Sequence, residues 1–255
     1  MKKIIIIGAS SGLGYQMAAD FARVGCRVGI AARRTEPLQT IKDLYPDRVA
    51  TAEIDVTAPD AVKRFYDLIE LIDGMDILIF AAGAGFQDPT LDDAITRRIL
   101  DTNVTGFARI LNAAYKYFRD TASVTPGQIA AITSVAGTKG IGIASAYSAS
   151  KRFQQIYIDA LDQLAHQQHV NVRFTDIRPG FVRTPFLDPD KNYPMSMSTL
   201  RAARLIEEAI LRGRRRATID SRWAVVNTLW RLSPSALWRR LALTLSSPLW
   251  GMAVF

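Results

Sequence analysis

Lys3-Ile-Ile-Ile-Ile7-Gly8-Ala-Ser10-Ser11-Gly12-Leu13-Gly14, with the Ala-rich residues 15–24 and then Arg27-Val-Gly-Ile-Ala-Ala32 behind it, is the stretch that decides the fold. The apolar run Ile4–Ile7 is too short for the hydrophobic region of a signal peptide and stops at Gly8. It has the length and content of a buried parallel strand. Residues 15–24 read as a helix, with Gly25 placed as the residue after its cap. Residues 27–32 are a second short apolar strand. Strand, Gly-rich turn, helix and strand make a βαβ unit. Glycines at such a turn let the backbone bend sharply and approach a pyrophosphate. The helix start behind them offers unpaired N–H groups and the positive end of a dipole. The spacing G-x-x-x-G-x-G is not G-x-G-x-x-G, so the reading rests on position rather than on that fingerprint. The second strand ends at Arg33-Arg34, where an acid would bind a ribose hydroxyl. Two guanidiniums suit a 2′-phosphate, so the expectation is NADP(H) over NAD(H).

The same alternation continues. Residues 50–54 read as a strand ending at Asp55-Val56-Thr57, residues 59–72 as a helix, and residues 76–80 as a buried strand followed by Ala81-Ala82-Gly83-Ala-Gly85. Two helices are expected over 90–100 and 103–118, with Asn103 near the start of the second. Residues 127–134 form a strand that delivers Ser134 to its carboxyl end. Residues 137–142 are Gly-rich and lead into a helix over 147–165, and residues 170–177 make another strand before Pro179-Gly180-Phe-Val182-Arg-Thr184. All the chemistry-bearing residues fall at carboxyl ends of strands, where open α/β sheets bind ligands. The fold class is therefore α/β: a Rossmann-like, doubly wound parallel sheet in one domain over 1–216, with a C-terminal amphipathic helical extension over 217–255.

In the 147–165 helix, Tyr147 and Lys151 lie one turn apart on one face. A cation near a phenol favours the phenolate and would draw its pKa down from about 10. Ser134 adds a hydroxyl able to polarise a carbonyl. Taken alone, Y-x-x-x-K is a common pair.

Composition narrows the classes. The 255 residues are 49% hydrophobic and 22% charged, as in an ordinary globular domain. Cys26 is the single cysteine, so no disulfide forms within the chain and a thiolate metal site is not expected. His166 and His169 sit in a polar stretch and read as solvated helix-end residues. No apolar run is long enough to span a bilayer, and the expected location is the cytoplasm, or the inner face of a membrane. Net charge is +8, and residues 201–255 account for +7 of it, with ten Arg against Glu207, Glu208 and Asp220. All four Trp (223, 230, 238, 250) lie there too. Arg212-Gly-Arg-Arg-Arg216 is the one basic cluster; no recognition motif accompanies it, and nucleic acid is not an expected partner.

Over residues 3–185 these motifs, in this order, resemble the single-domain short-chain dehydrogenases/reductases. Ser134 precedes Tyr147 by thirteen residues, the spacing usual in that family. The resemblance implies roles. Ser134, Tyr147, Lys151 and Asn103 would be catalytic: Tyr147 the acid/base, Lys151 lowering its pKa and binding the ribose, Ser134 holding the oxyanion, Asn103 holding a water that passes protons from Lys151. Gly8, Ser10, Ser11, Gly12, Leu13 and Gly14 would hold the cofactor's phosphates, and Arg33 and Arg34 the 2′-phosphate. Asp55 and Val56 would meet the adenine. Ala81, Ala82, Gly83, Pro179, Gly180, Val182 and Thr184 would line the nicotinamide end. The implied reaction is reversible reduction of a carbonyl to a secondary alcohol, by a homodimer or homotetramer. Two positions depart from the family: Ile7 where it has Thr, and Phe80-Ala81-Ala82-Gly83 where it has Asn-Asn-Ala-Gly.

Residues 185–200 stand where the family has a substrate lid, and their Met and aromatic side chains suit an adaptable apolar pocket. Beyond 216 the resemblance fades. Ser233-Pro-Ser reads as a helix start with Pro234 at its first position. Leu237, Trp238, Leu241 and Leu245 would share a face beside Arg239 and Arg240. That pattern suits peripheral membrane contact through 222–255, or a subunit interface. Membrane contact would favour a hydrophobic or lipid-like ketone. The alternatives are a soluble 3-oxoacyl-type reductase whose tail serves oligomerisation, and an NADP(H) sensor without catalysis.

Overall fold

The computed structural model describes residues 1–241 apart from 122, 123, 189 and 191. The chain alternates strand and helix as the first 32 residues imply. Strand β1 (Lys3–Ile7), helix α1 (Gly12–Arg23), β2 (Arg27–Ala32), α2 (Glu36–Leu44), β3 (Val49–Glu53), α3 (Ala61–Leu71) and β4 (Ile77–Phe80) form the first half. The second half holds α4 (Asp93–Leu100), α5 (Phe107–Asp120), β5 (Gly127–Ile132), α6 (Ser145–Gln167) and β6 (Val172–Pro179). A two-residue pair, β7 (Val182–Arg183) and β8 (Met197–Ser198), then precedes α7 (Thr199–Leu211), β9 (Arg216–Ile219), α8 (Ser221–Leu232) and the single turn α9 (Ser235–Trp238).

Seven strands form one parallel sheet in the order β3-β2-β1-β4-β5-β6-β9. The order reverses at β1, so a crevice opens beyond the carboxyl ends of β1 and β4. Strands such as Ile4–Ile7 and Ile77–Phe80 are buried on both faces, which is why they are continuous apolar runs. On one face Phe65, Phe107, Leu111 and Ile158 pack from α3, α5 and α6. On the other, Met17, Phe21, Ile41 and Ile206 pack from α1, α2 and α7.

Three sequence expectations change. The two helices expected over 90–118 are one continuous helical run, joined by a π-turn at Asp101–Gly106 that carries Asn103. Such turns cluster at functional sites because they push a side chain out of register. The boundary expected at 216 falls at the start of β9, which pairs with β6 from Asp176 to Pro179. Strand β9 and helix α8 therefore belong to the same sheet and core, and residues 217–232 are no appendage. The apolar helix expected from 233 onward is only α9, with Pro234 as its cap rather than its first residue. Leu245, expected on the same face, lies outside the described residues.

Glu207 of α7 faces α1. Burial and the nearby Asp20 push its carboxyl up to about 7, against Arg23 and Arg204, which lower it. Its Oε1 is buried without a hydrogen-bond partner. Between pH 4.5 and 7 the folded chain keeps a proton that the unfolded chain has lost, so this group's contribution to stability falls as pH rises through that window. Glu207→Gln should raise the denaturant midpoint at pH 8 and leave it unchanged at pH 4.5. Equal shifts at both pH values would mean the carboxyl is not protonated in the fold.

Candidate active site

At the phosphate end, β1 stops at Ile7 and the chain turns through Gly8, held by Gly8 N and Ala9 N donating to Ala31 O at 2.8 and 3.1 Å. Gly8 has φ +94°, and a Cβ there would sit 2.4 Å from Ala82 N; one on Gly14 would sit 2.2 Å from Gly8 O. Side chains at either position would collide with neighbouring backbone, so this tight turn and its approach to a pyrophosphate need glycine. Ser11 caps α1 with backbone alone; its side chain accepts nothing from the first turn, which leaves that turn's N–H groups pointing at the crevice. Arg33 and Arg34 leave the end of β2 exposed, and Arg34 Nη2 lies 3.4 Å from Ser10 Oγ. Asp55 Oδ1 accepts from Thr57 N and Oγ1 at 2.9 and 2.8 Å, which shapes the turn after β3. Arg109 braces the same turn through the carbonyls of Val56, Thr57 and Ala58. These residues fit a dinucleotide: a dipole end and bare backbone for the pyrophosphate, two cations for a further phosphate.

Every expected cofactor residue lines one cavity of about 1000 Å³, and so do Ser134, Tyr147 and Lys151. Ser134 sits just past β5 in extended backbone, its Oγ accepting from Ala136 N at 3.1 Å and its carbonyl accepting from Gln155 Nε2 at 2.8 Å. Ser134 also hydrogen-bonds the Tyr147 hydroxyl. Lys151 Nζ lies 5.7 Å from the centre of the Tyr147 ring and donates to Ile132 O at 3.1 Å and Gln154 Oε1 at 3.0 Å. Burial dominates the electrostatics. It raises the Tyr147 phenol to about 12, against a smaller lowering by Ser134. It lowers Lys151 to about 7, against a raising contribution from Asp176. The expectation that Lys151 alone draws Tyr147 down is corrected here: desolvation favours the neutral form of both groups.

Asn103 does not face the cavity. It is fully buried behind it, with Oδ1 accepting from Ala84 N at 2.8 Å and Nδ2 donating to Ala84 O at 2.7 Å. It thus pins the 81–85 loop, the work that Ala81 and Ala82 have no side-chain polar groups to do. That loop must stay small: a Cβ on Gly85 would meet Phe186 at 2.3 Å and Tyr147 at 2.9 Å.

The far end of the cavity is aromatic. From the segment between β7 and β8, which pair with each other, Phe186, Leu187 and Tyr193 line it. Helix α8 supplies the back wall. Trp223 is 1% exposed, meets Phe181 edge-on at 5.4 Å, and lies so close to Gly180 that a Cβ there would be 2.1 Å from its indole. The ladder continues from Trp223 to Trp230 (6.2 Å) and from Trp230 to Trp238 (5.4 Å), whose Nε1 donates to Gly140 O at 2.7 Å. Trp223, Trp230 and Trp238, expected in a segment that meets a membrane or a second subunit, therefore pack against the body of the same chain. Sequence reasoning also missed Phe86, Arg98 and Gln154. Arg98 stacks on Phe86 at 5.0 Å and both line the cavity. A buried Gln-Gln pair one turn after Lys151 was the readable signal for Gln154.

A glycine cradle, a Ser-Tyr-Lys centre and one cavity joining them define an oxidoreductase site of the dinucleotide-dependent kind. Residues 2–193 match the short chain dehydrogenase family, and the chain belongs to it. It is 34% identical over 241 residues to an uncharacterized oxidoreductase of Myxococcus xanthus, covering 91% of this chain and 93% of that protein. A farnesol dehydrogenase of Aedes aegypti is 29% identical over 196 residues, 73% of this chain and 79% of that one. Two solved structures share the fold at 20% identity. A short chain dehydrogenase from Burkholderia cenocepacia in complex with NADP has a TM-score of 0.80 over 96% of this chain and all of that one. The 3-ketoacyl-(acyl-carrier-protein) reductase of Brucella melitensis, complexed with NADH, has 0.74 over 86% and 96%.

Proposed function

We propose that the chain catalyses reversible, NADPH-dependent reduction of an apolar, lipid-like ketone. The carrying observation is the single cavity, which runs from Arg33 and Arg34 past Tyr147 to a wall of Phe181, Phe186 and Trp223. When bound, the reduced nicotinamide supplies the hydride that ends on the carbonyl carbon. Ser134 and Tyr147 would take the carbonyl oxygen between their hydroxyls. Tyr147 gives its proton to that oxygen as negative charge develops. Lys151 stabilises the phenolate left behind. Gly83, without a side chain, leaves Lys151 Nζ open to a ribose; a Cβ there would stand 3.7 Å from it. The aromatic wall favours an apolar body on the substrate, and farnesol, the substrate by name of the Aedes relative, is a long apolar alcohol.

The test is a panel of ketones, acyl thioesters among them, followed by NADPH absorbance. Long apolar ketones should turn over best. NADPH binding with no oxidation by any carbonyl would favour the sensor reading instead. Trp223→Leu should raise the KM for bulky apolar ketones about tenfold and leave the KM for NADPH unchanged; equal losses for small and bulky ketones would remove α8 from the substrate site.

The outer surface of α8 supports a further part of this reading, peripheral contact with an anionic membrane. Val225, Leu229 and Leu232 share a face one and two turns apart and are 56%, 46% and 74% exposed, with Leu237 beside them in the chain. Arg222, Arg231, Arg239 and Arg240 are exposed in the same segment. Among the described residues no helix is long and apolar enough to cross a membrane. Leu229→Glu with Leu232→Glu in the full chain should abolish flotation with anionic vesicles. Truncation at 216 would not test this, because it removes β9 from the sheet.

A further inference from the structure

The acid–base pair has a third member that the described roles leave out. Gln154 lies three residues after Lys151 on α6 and is fully buried. Its Oε1 accepts from Lys151 Nζ at 3.0 Å, and its Nε2 donates to the backbone carbonyl of Asn103 at 3.0 Å. An amide has a donor end and an acceptor end, and here each meets its opposite. Turning the amide over would set N–H against ammonium and oxygen against carbonyl, so only one orientation is stable. Asn103 in turn holds Ala84 through both atoms of its own amide and donates to Ser150 Oγ at 3.0 Å. Ser150 Oγ donates to Tyr147 O at 2.8 Å. A chain of hydrogen bonds thus runs from the Lys151 ammonium through Gln154 and Asn103 to the 81–85 loop and the backbone of Tyr147.

We propose that Gln154 is a positioning residue: its buried amide clamps Lys151 to the Asn103 carbonyl and so fixes the Tyr147–Lys151 pair against the 81–85 loop. The clamp favours the charged form of Lys151, since it accepts from the ammonium. An amide carries no proton that titrates near neutral pH, so the link from Lys151 to Asn103 holds without relaying. The Asn103 carbonyl, next to the water site that the family resemblance implies, is bonded here by a side chain of this protein.

The other charges around Lys151 stay constant when Gln154 changes. Tyr147 faces it from α6. Asp176 faces it from β6, and is itself held by Arg178 Nε at 2.6 Å, by Thr133 Oγ1 at 2.6 Å and, at 3.9 Å, by Arg216 from β9.

The test compares Gln154→Met, of similar volume but without an acceptor, with Gln154→Glu, which adds a charge. Two readouts are needed. The first is unfolding stability against pH, which needs no substrate. Lys151 is lowered to about 7 in the folded chain from 10.5, so the unfolded chain binds the extra proton between those values and stability gains as pH rises through them. In Gln154→Met that gain should begin about one pH unit lower, the size of one lost charge-assisted hydrogen bond. In Gln154→Glu it should begin higher. The second readout is the pH profile of kcat/KM for ketone reduction, whose alkaline limb should move the same way in each variant. A space-filling role would lower stability evenly and leave both pH profiles superimposed on the wild type, which would overturn the proposal. The activity arm rests on the reductase reading; the stability arm stands if that reading fails.

Discussion

Tyr147→Phe is expected to lower kcat for ketone reduction by about 10²- to 10⁴-fold, the usual worth of a positioned acid or base, while NADPH still saturates the site. The substitution removes one hydroxyl and keeps the ring, so packing against Phe186 at 6.1 Å is retained. Ser134 loses its partner but keeps Ala136 N. The structure adds a direction to this expectation. Burial holds the phenol up to about 12, so Tyr147 is protonated throughout the working range and is ready to donate. The oxidative direction needs the phenolate first. Alcohol oxidation should therefore accelerate with rising pH, while the alkaline limb of reduction follows Lys151 rather than Tyr147, and Tyr147→Phe should abolish the oxidative rise. Wild-type turnover in that variant would remove Tyr147 from the mechanism, and an unchanged pH dependence with low turnover would place the titrating group elsewhere.

The first 32 residues carried much of the fold because β1 and β2 are sheet-centre strands. Burial on both faces forces an unbroken apolar run, and a run that stops at Gly8 has few other meanings. Ser134, Tyr147 and Lys151 were legible for a related reason. Their geometry is set by one strand end and one helix turn, both local features. The parts that were misread depend on what a segment packs against. Residues 101–106 have no unusual composition, and the π-turn arises because Asn103 must reach Ala84. Strand β9 is four residues long and opens with Arg, so it reads as loop until β6 is placed beside it. The Trp-rich stretch reads as a membrane or subunit contact because Arg neighbours its indoles in sequence. On α8, however, the Arg side chains turn out and the indoles turn in, with Trp223 filling the space left by Gly180. The phenol and amine pKa values were misjudged because a sequence shows the pairing of charges and hides their desolvation.

Arg33→Ala with Arg34→Ala should raise the KM for NADPH about 10²-fold and leave that for NADH unchanged. A hydrogen bond to a charged partner contributes about 1.5–3 kcal/mol, and each 1.4 kcal/mol is tenfold in affinity. Two guanidiniums sharing one phosphate therefore reach a hundredfold between them even at the low end. The positions suit this. Both side chains are exposed just past the end of β2, on the cavity wall that also carries Ser10 and Asp55. Ser10 Oγ is within 3.4 Å of Arg34, which draws that guanidinium toward the glycine turn rather than into solvent. Neither arginine is needed for the core, so the double variant should unfold at the wild-type denaturant concentration, and its loss can be read as binding. The discriminating quantity is the ratio of the two cofactors. A fall in kcat/KM for NADPH alone assigns the pair to the 2′-phosphate. A parallel fall for NADH would mean that the arginines act on the shared pyrophosphate, and that the preference between the two cofactors is set elsewhere in the cavity.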